Sequence, residues 1–149
     1  MMRASGILLP ISSIPSNYGI GCFSKEAYAF VDQLAEAGQK YWQILPLGPT
    51  GYGDSPYQSF STFAGNPYFI DLEELIQRDL LTAAECAECD WGGSKSYVDY
   101  EKVYLSRFSL LRKAYRRFYQ MDGKEKELQL IREEMEAFEK EQGLSLIHI

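Results

Sequence analysis

The most distinctive chemistry in this sequence lies in a glycine- and proline-rich loop, Gly48–Ser59. Three glycines and two prolines impose tight turns, so Tyr52 and Tyr57 are held on a stiff support. The polar side chains beside these rings belong to Asp54, Ser55 and Gln58. Rings next to hydrogen-bonding groups suit an oligosaccharide, because a sugar offers an apolar C–H face and a hydroxyl rim. Composition alone leaves a second interpretation open, in which both tyrosines fold back onto the protein.

Cys86 and Cys89 form a second candidate, because CxxC spacing occurs in zinc and redox sites. A four-ligand zinc site would need two more cysteines or histidines, and the only histidine is His148. A thioredoxin-like site would follow a strand, whereas Thr82–Glu85 is typical of a capping box that opens a short helix. Cys22 makes the cysteine count odd, which argues against a disulfide framework. We predict no metal, no redox function and no cofactor.

Charge and hydropathy restrict the partners. The net charge of −6 would repel phosphate backbones. The basic residues within 112–117 alternate with apolar ones at helical spacing and predict a solvated helix face, so we expect no nucleic-acid partner. The apolar run before Pro10 is shorter than the roughly 7–15 residues of a signal peptide, and no stretch approaches the roughly 20 that span a membrane. We predict no membrane partner and a cytoplasmic location.

The elements that would position the loop form a strand–helix–strand pattern. Ser5–Leu9 predicts a buried strand stopped by Pro10, and Tyr41–Leu45 predicts a second strand, with Trp42 in the core. Between them, Ser24 to Gly38 predicts a capped helix. The expected apolar face of this helix consists of Ala27, Phe30, Val31, Leu34 and Ala35. Such a unit implies parallel pairing of the strands.

The region after the second strand, Pro46–Ile70, has neither helical nor alternating periodicity, yet it is rich in aromatic residues. Its length predicts a functional segment, and its aromatics argue against disorder. It would lie at the carboxyl end of a parallel strand, where α/β folds bind ligands.

The remaining sequence predicts helices. Asp71–Glu74 predicts a capping-box start, and a longer helix is expected to begin near Asp99. Its expected apolar stripe is Tyr104, Phe108, Leu111, Tyr115 and Phe118. A further helix before Gly143 would carry the stripe Leu128, Ile131, Met135 and Phe138.

The longest irregular stretch resembles the N-terminal region of the 4-alpha-glucanotransferase family (amylomaltase, disproportionating enzyme, glycoside hydrolase family 77). The resemblance is strong over about residues 3–81 and looser beyond. It rests on Ser5–Pro10, Pro15–Gly21, Tyr41–Thr50, Gly51–Ser59 and Phe63–Tyr68.

This resemblance implies an α/β fold, the first two strands of a (β/α)8 TIM barrel followed by a helical segment. A complete barrel takes eight strands and about 250 residues, so this chain would form an incomplete barrel. The family's enzymes transfer α-1,4-glucan segments between maltodextrins through a glycosyl-enzyme intermediate. That retaining chemistry uses two carboxylates about 5 Å apart.

The resemblance also suggests roles within the loop. Tyr57 is similar to the residue that contacts the donor glucose beside the scissile bond, and Tyr52 to an aromatic at an accessory glucan site. Ser55 and Gln58 match groove residues, and Asp54 would help shape the loop. Asn66 and Pro67 would shape the next turn.

The family's catalytic carboxylates lie far downstream and have no match here, so we predict no catalytic residue in this chain and expect it to be inactive alone. Asp54, Asp71, Glu73 and Glu74 are accounted for as loop or cap residues. Two alternatives stay open. One is a non-catalytic carbohydrate-binding module, and the other is a helical interaction protein that uses the stripes between Asp99 and Gly143.

The predicted organisation has three parts. Residues 1–81 would be the start of the catalytic barrel with its glucan-binding loop, and residues 82–143 a helical subdomain or insertion. Residues 144–149 carry no strongly charged side chain after a highly charged helix, and we interpret them as a sequencing-artefact tail. We also expect the first helix and the two strands to be partly exposed in the isolated chain.

Overall fold

The computed structural model describes residues 3–61, 63–94, 96–120, 129–137 and 140. The chain begins with strand β1 (Gly6–Leu8), helix α1 (Lys25–Glu36) and strand β2 (Tyr41–Gln43). The two strands pair in parallel, with Gly6 opposite Tyr41 and Leu8 opposite Gln43. The predicted strand–helix–strand unit is therefore confirmed, with strands shorter than the apolar runs that predicted them.

Helix α1 begins and ends where the sequence predicts. Ser24 is its N-cap, although the hydroxyl donates to the Glu26 carboxylate at 2.7 Å instead of capping a backbone N–H. Gly38 follows the C-cap with φ +71°, a left-handed conformation that favours glycine. The helix lies on β2 through Phe30, whose ring meets that of Trp42 edge-on at 5.1 Å. Trp42 Nε1 donates to the Leu9 carbonyl at 2.8 Å, so this ring packs between the elements, but it is half-buried and does not join the buried core that the sequence predicts.

The two-stranded sheet leaves much of its apolar surface open. Ile7, Leu8, Val31 and Tyr41 are all exposed. The prediction that β1 is buried is therefore wrong for this chain, whereas the expected partial exposure of α1 and both strands is confirmed. The reason is geometric: a strand needs neighbours along both edges and layers on both faces to be buried, and β1 pairs only with β2 among the described residues.

Two short helices follow the long loop, and each begins at a side-chain cap. Asp71 caps α2 (Leu72–Gln77) by accepting from the Glu73 N–H at 3.0 Å. The reciprocal half of the predicted capping box is not formed there, because the Glu74 carboxylate pairs with Arg78 one turn later, at 2.8 Å. The capping box predicted for α3 (Ala83–Ala87) is confirmed by reciprocal bonds between Thr82 and Glu85.

Helix α4 (Tyr100–Gln120) packs through a stripe that differs from the expected one. Asp99 precedes it and accepts from the Lys102 N–H, so the predicted start is correct. The expected stripe is wrong at Tyr104 and Tyr115, which are exposed, and correct at Phe118, which is buried. The side chains that α4 buries are those of Val103, Arg107, Leu110, Ala114 and Phe118. The bulky aromatics dominate the sequence pattern, but the face of α4 that meets the core formed with α2 and α3 is the adjacent one.

The main core lies between α2, α3 and α4. Its buried members are Leu72, Leu80, Leu81, Cys86, Leu110, Ala114 and Phe118. Ile131 and Met135, from the helical residues 129–137, pack against it, as the second predicted stripe requires. The other two members of that stripe, Leu128 and Phe138, and the tail 144–149 lie outside the described residues. The predicted division at residues 81 and 82 stays a prediction, although this core draws side chains from both sides of it.

The described part of the chain contains no helix that is long and apolar enough to cross a lipid bilayer.

Candidate functional site

The predicted loop is closed at its base by backbone hydrogen bonds. The Asn66 N–H donates to the Leu47 carbonyl at 2.9 Å, so the chain returns to the point where it left β2. An antiparallel bridge joins Thr50 to Ser59 further along. A β-carbon on Gly48 would lie 2.5 Å from Ser59 Oγ and 3.0 Å from Ser59 Cβ, so the close approach of the two limbs favours glycine there. The loop therefore has the closed base of a compact surface loop.

Two consecutive turns form the tip of the loop. The Asp54 N–H donates to the Gly51 carbonyl and the Gln58 N–H to the Ser55 carbonyl, each at 3.1 Å. Gly53 and Asp54 have φ of +96° and +54°. Aspartate is one of the few residues with a side chain that tolerates this left-handed region, which explains its position after a glycine.

The turns present both tyrosine rings to solvent. Tyr52 is fully exposed, and Tyr57 keeps 73% of its surface accessible. The arrangement in which both rings fold back onto the protein is therefore not the one observed. Two free aromatic faces on a closed loop form the geometry that a stacking platform requires.

Asp54 lines a cleft together with the buried Tyr68 and the half-buried Tyr100. Burial raises the pKa of the Asp54 carboxyl above its usual value. Burial also raises the pKa of Tyr68 to about 12, and the negative charge of Asp54 adds to this effect. The pKa of Tyr100 is raised by the same two causes. Asp54 thus lies close to two phenols at the inner side of the loop.

These groups border a cleft of about 110 Å³ at the carboxyl ends of both strands. Five regions of the chain meet there: the segment after β1, the segment after β2, the loop, the turn that follows the loop, and the start of α4. The lining comprises Pro10, Ile11, Ser12, Ile20, Leu45, Pro46, Thr50, Asp54, Pro56, Asn66, Tyr68, Phe69 and Tyr100. Of the five predicted site residues, Asp54 lines the cleft directly, while Tyr52, Ser55, Tyr57 and Gln58 lie on the loop beside it.

Tyr68 and Tyr100 line the cleft, although neither is a site residue predicted from the sequence. Tyr68 follows Asn66, whose side chain accepts from the Tyr68 N–H at 2.9 Å and so caps the turn Pro67–Phe69. This agrees with the shaping role expected for Asn66. Tyr100 opens α4, and only tertiary packing brings it to the loop, through ring contact with Tyr68 at 6.0 Å. No local pattern around Tyr100 indicates that contact.

The acidic residues of the loop and of the start of α2 have distinct contacts. Among the described residues, Asp54 is the one carboxylate that lines the cleft. Glu73 accepts from the Tyr18 hydroxyl at 2.5 Å, and Asp71 caps α2. Glycosidic bond cleavage with retention needs two carboxylates on either side of the bond. The described lining of the cleft does not supply such a pair.

The CxxC pair lies away from this cleft. Cys86 is buried in the core, and the Cys89 thiol donates to the Glu85 carbonyl at 3.4 Å. Burial raises the pKa of both thiols, which opposes thiolate chemistry. The described residues contain no group of three or more potential metal ligands.

Comparison with known proteins places this geometry in a family. The sequence model of the 4-alpha-glucanotransferase family matches residues 9–148. The chain is 56% identical over 119 residues to a 4-alpha-glucanotransferase of Streptococcus pneumoniae, an alignment covering 80% of this chain and 24% of that protein. A 4-alpha-glucanotransferase of Thermus thermophilus is 50% identical over 116 residues, or 78% of this chain and 22% of that protein.

A solved structure agrees with these matches. An amylomaltase from Streptococcus agalactiae, in complex with acarbose, superposes with a TM-score of 0.82 and 40% identity, covering 95% of this chain and 27% of that one. The chain therefore spans about a quarter of the length of the relatives it matches. The family-model match, the similar sequences and the similar solved structure together show that the chain belongs to the 4-alpha-glucanotransferase family.

Proposed function

We propose that the protein carrying this chain is a 4-alpha-glucanotransferase, which moves α-1,4-glucan segments between maltodextrins. The observation that carries the proposal is the pair of exposed rings, Tyr52 and Tyr57, on a closed loop beside a cleft at the carboxyl ends of two parallel strands. The family membership and the acarbose complex of the amylomaltase support it.

In this proposal β1 and β2 are the first two strands of a (β/α)8 barrel, and residues 82–143 form a helical subdomain beside it. The exposed faces of both strands support this assignment, because further strands would cover them. A barrel of this kind binds its substrate at the carboxyl ends of its strands, where the cleft lies here. A cytoplasmic location stays a prediction.

The loop residues would act in binding. Tyr57 would lie against the donor sugar next to the bond that breaks, and Tyr52 would hold glucan at an accessory position. Ser55 and Gln58 would offer hydrogen bonds to sugar hydroxyls, and Asp54 would shape the loop from its inner side. The catalytic carboxylates would come from the part of the protein beyond this chain.

Binding geometry matters for this reaction because water competes with the acceptor glucan. Transfer exceeds hydrolysis when the acceptor hydroxyl is bound and oriented while water is kept away from the glycosyl-enzyme intermediate. A stiff aromatic loop contributes to both effects, since its rings cover the sugar faces and displace water from them. No cofactor enters this mechanism.

The experiment that tests the proposal is incubation of the full-length protein with maltotriose. A 4-alpha-glucanotransferase should release glucose and produce a ladder of longer maltodextrins without a gain in total reducing ends. Glucan binding without transfer would instead support a carbohydrate-binding module. If the protein neither binds nor transfers glucan, both candidate functions are refuted.

A further inference from the structure

The middle of α4 buries an arginine. Arg107 has 0% of its surface exposed. Removing a guanidinium from water is unfavourable, and burial accordingly lowers the pKa of Arg107, while the neighbouring Cys22 and Asp71 oppose that shift. A buried charge persists only where hydrogen bonds compensate for the lost water.

Part of this compensation comes from backbone carbonyls of one turn, whereas Nη1 has no hydrogen-bond partner among the described residues. Arg107 Nε donates to the Pro67 carbonyl at 3.4 Å, and Nη2 donates to the Ile70 carbonyl. These two carbonyls bracket the short helical turn Pro67–Phe69. The planar fork of a guanidinium spans both acceptors at once, which a single ammonium group cannot do.

The same turn is the return end of the candidate glucan-binding loop. Asn66, which precedes it, closes the loop base on Leu47. The Phe69 carbonyl accepts from the Phe23 N–H at 3.2 Å, and Tyr68 packs against Phe108, a neighbour of Arg107 on α4. Asn66, Tyr68 and Phe69 all line the cleft. The bonds of Arg107 therefore act on the wall of the cleft and on the end of the loop.

We propose that Arg107 is a positioning residue, which fixes the return end of the loop so that the tyrosine-bearing tip and the cleft keep one geometry. The expected effect of Arg107 on glucan transfer rests on the proposed function. The positioning of the loop end depends only on the contacts of Arg107. Arg107 does not line the cleft, so its effect on sugar passes through Pro67–Ile70.

Core filling alone does not account for an arginine at this position. The neighbouring stripe positions hold Val103 and Leu110, both buried and apolar. An apolar side chain of similar volume would avoid the desolvation penalty, and such replacements of buried charges are often neutral or stabilising. What an apolar side chain cannot do is hold the two carbonyls of the turn in one orientation. The guanidinium of Arg107 is thus suited to fixing the backbone position of the loop end.

The test compares Arg107→Lys and Arg107→Met with Arg117→Met in the full-length protein. Arg117 is a matched control, because it lies on the same helix and bonds Glu85 and the Leu80 carbonyl, away from the loop. Amide hydrogen exchange of peptides covering residues 48–71 reports loop order independently of activity. We expect exchange there to accelerate about tenfold in Arg107→Met and less in Arg107→Lys, with no change in Arg117→Met.

Kinetics with maltotriose provide the second measurement. We expect the KM of both Arg107 variants to rise at least about threefold, because a displaced loop loses sugar contacts, while Arg117→Met lowers only the melting temperature. A melting temperature that falls in all variants with unchanged exchange in residues 48–71 would overturn the proposal. If Arg107→Met does not fold, Arg107→Lys decides by the same criterion. If the wild-type protein transfers no glucan, the proposed function fails, and the exchange result still decides whether Arg107 positions the loop.

Discussion

The backbone N–H of Asn66 lies 2.9 Å from the carbonyl oxygen of Leu47, and this bond closes the loop that carries both exposed tyrosines. The side chain of Asn66 simultaneously caps the turn after it, at 2.9 Å from the Tyr68 nitrogen. One residue thus joins the base of the loop to the cleft wall. Since Asn66 is itself buried, its amide oxygen has little access to water if the bond is lost.

Asn66→Ala should destabilise the protein by about 1–2 kcal/mol, because it removes a cap and leaves the Tyr68 N–H without its acceptor. Asn66→Asp retains an acceptor oxygen and should recover most of that loss. Chemical denaturation of the full-length variants measures both effects. Asn17→Ala, at an exposed position, is the control and should lie within about 0.5 kcal/mol of wild type. Equal stabilities of the two alanine variants would contradict the capping role.

Tyr57→Ala should raise the KM for maltotriose about tenfold or lower kcat markedly, with little change in melting temperature, because the ring is exposed and makes few intramolecular contacts. Tyr57→Phe keeps the aromatic face and should behave close to wild type if stacking dominates. Tyr52→Ala should leave maltotriose kinetics nearly unchanged and weaken binding of long glucans. Unaltered kinetics in Tyr57→Ala would remove its assignment to the donor site.

Local signals predicted much of this fold because they act within a few residues. Gly38 ends α1 in a conformation that only a residue without a β-carbon adopts readily, and Thr82 and Glu85 satisfy each other's backbone groups three residues apart. The loop was recognisable for the same reason. A close approach of the backbone favours glycine at position 48, and a positive φ favours glycine at position 53. The glycine-rich composition of the loop therefore indicated its tight turns.

Other features depend on tertiary packing, which local patterns do not contain. The periodicity of α4 favours its large aromatics, yet the helix packs through the adjacent stripe, because that face meets the core formed by α2 and α3. An arginine is usually predicted to lie on the surface, but Arg107 is buried because its guanidinium donates hydrogen bonds to two carbonyls at the end of the loop. Tyr100 reaches the cleft only because α4 as a whole is placed there.

The buried face of α4 predicts which substitutions on this helix destabilise the protein. Leu110 is 1% exposed and Leu105 is 63% exposed, although both are leucines on the same helix. Leu110→Ala should cost about 2–5 kcal/mol of unfolding free energy, because it leaves a cavity between α2, α3 and α4. Leu105→Ala should change it by less than about 0.5 kcal/mol. Urea denaturation of both variants measures this difference, and a similar loss in each would mean that α4 is rotated from the packing described.

The ion pair between Glu85 and Arg117 should make stability depend on pH in the acid range. The guanidinium of Arg117 donates to both Glu85 oxygens, at 2.7 and 2.8 Å, and this bonding lowers the pKa of Glu85 to about 2. In the unfolded chain the same carboxyl has its ordinary pKa of 4.5. The folded protein therefore binds this proton less readily, so the stabilisation is fully present above that ordinary value and is lost as pH falls towards about 2.

Glu85→Gln should lower the melting temperature at neutral pH and make it fall less steeply below about pH 4.5. The glutamine side chain keeps an oxygen that can accept a hydrogen bond in the capping box. The loss of melting temperature in Glu85→Gln therefore measures the effect of the negative charge. Thermal unfolding of wild type and variant between pH 7 and about pH 2.5 measures the difference, which should shrink steadily with acidity. Glu88→Gln, an exposed change one position beyond α3, is the control and should follow the wild-type curve. Parallel curves for wild type and Glu85→Gln throughout this range would show that the carboxylate does not stabilise the packing of α3 on α4.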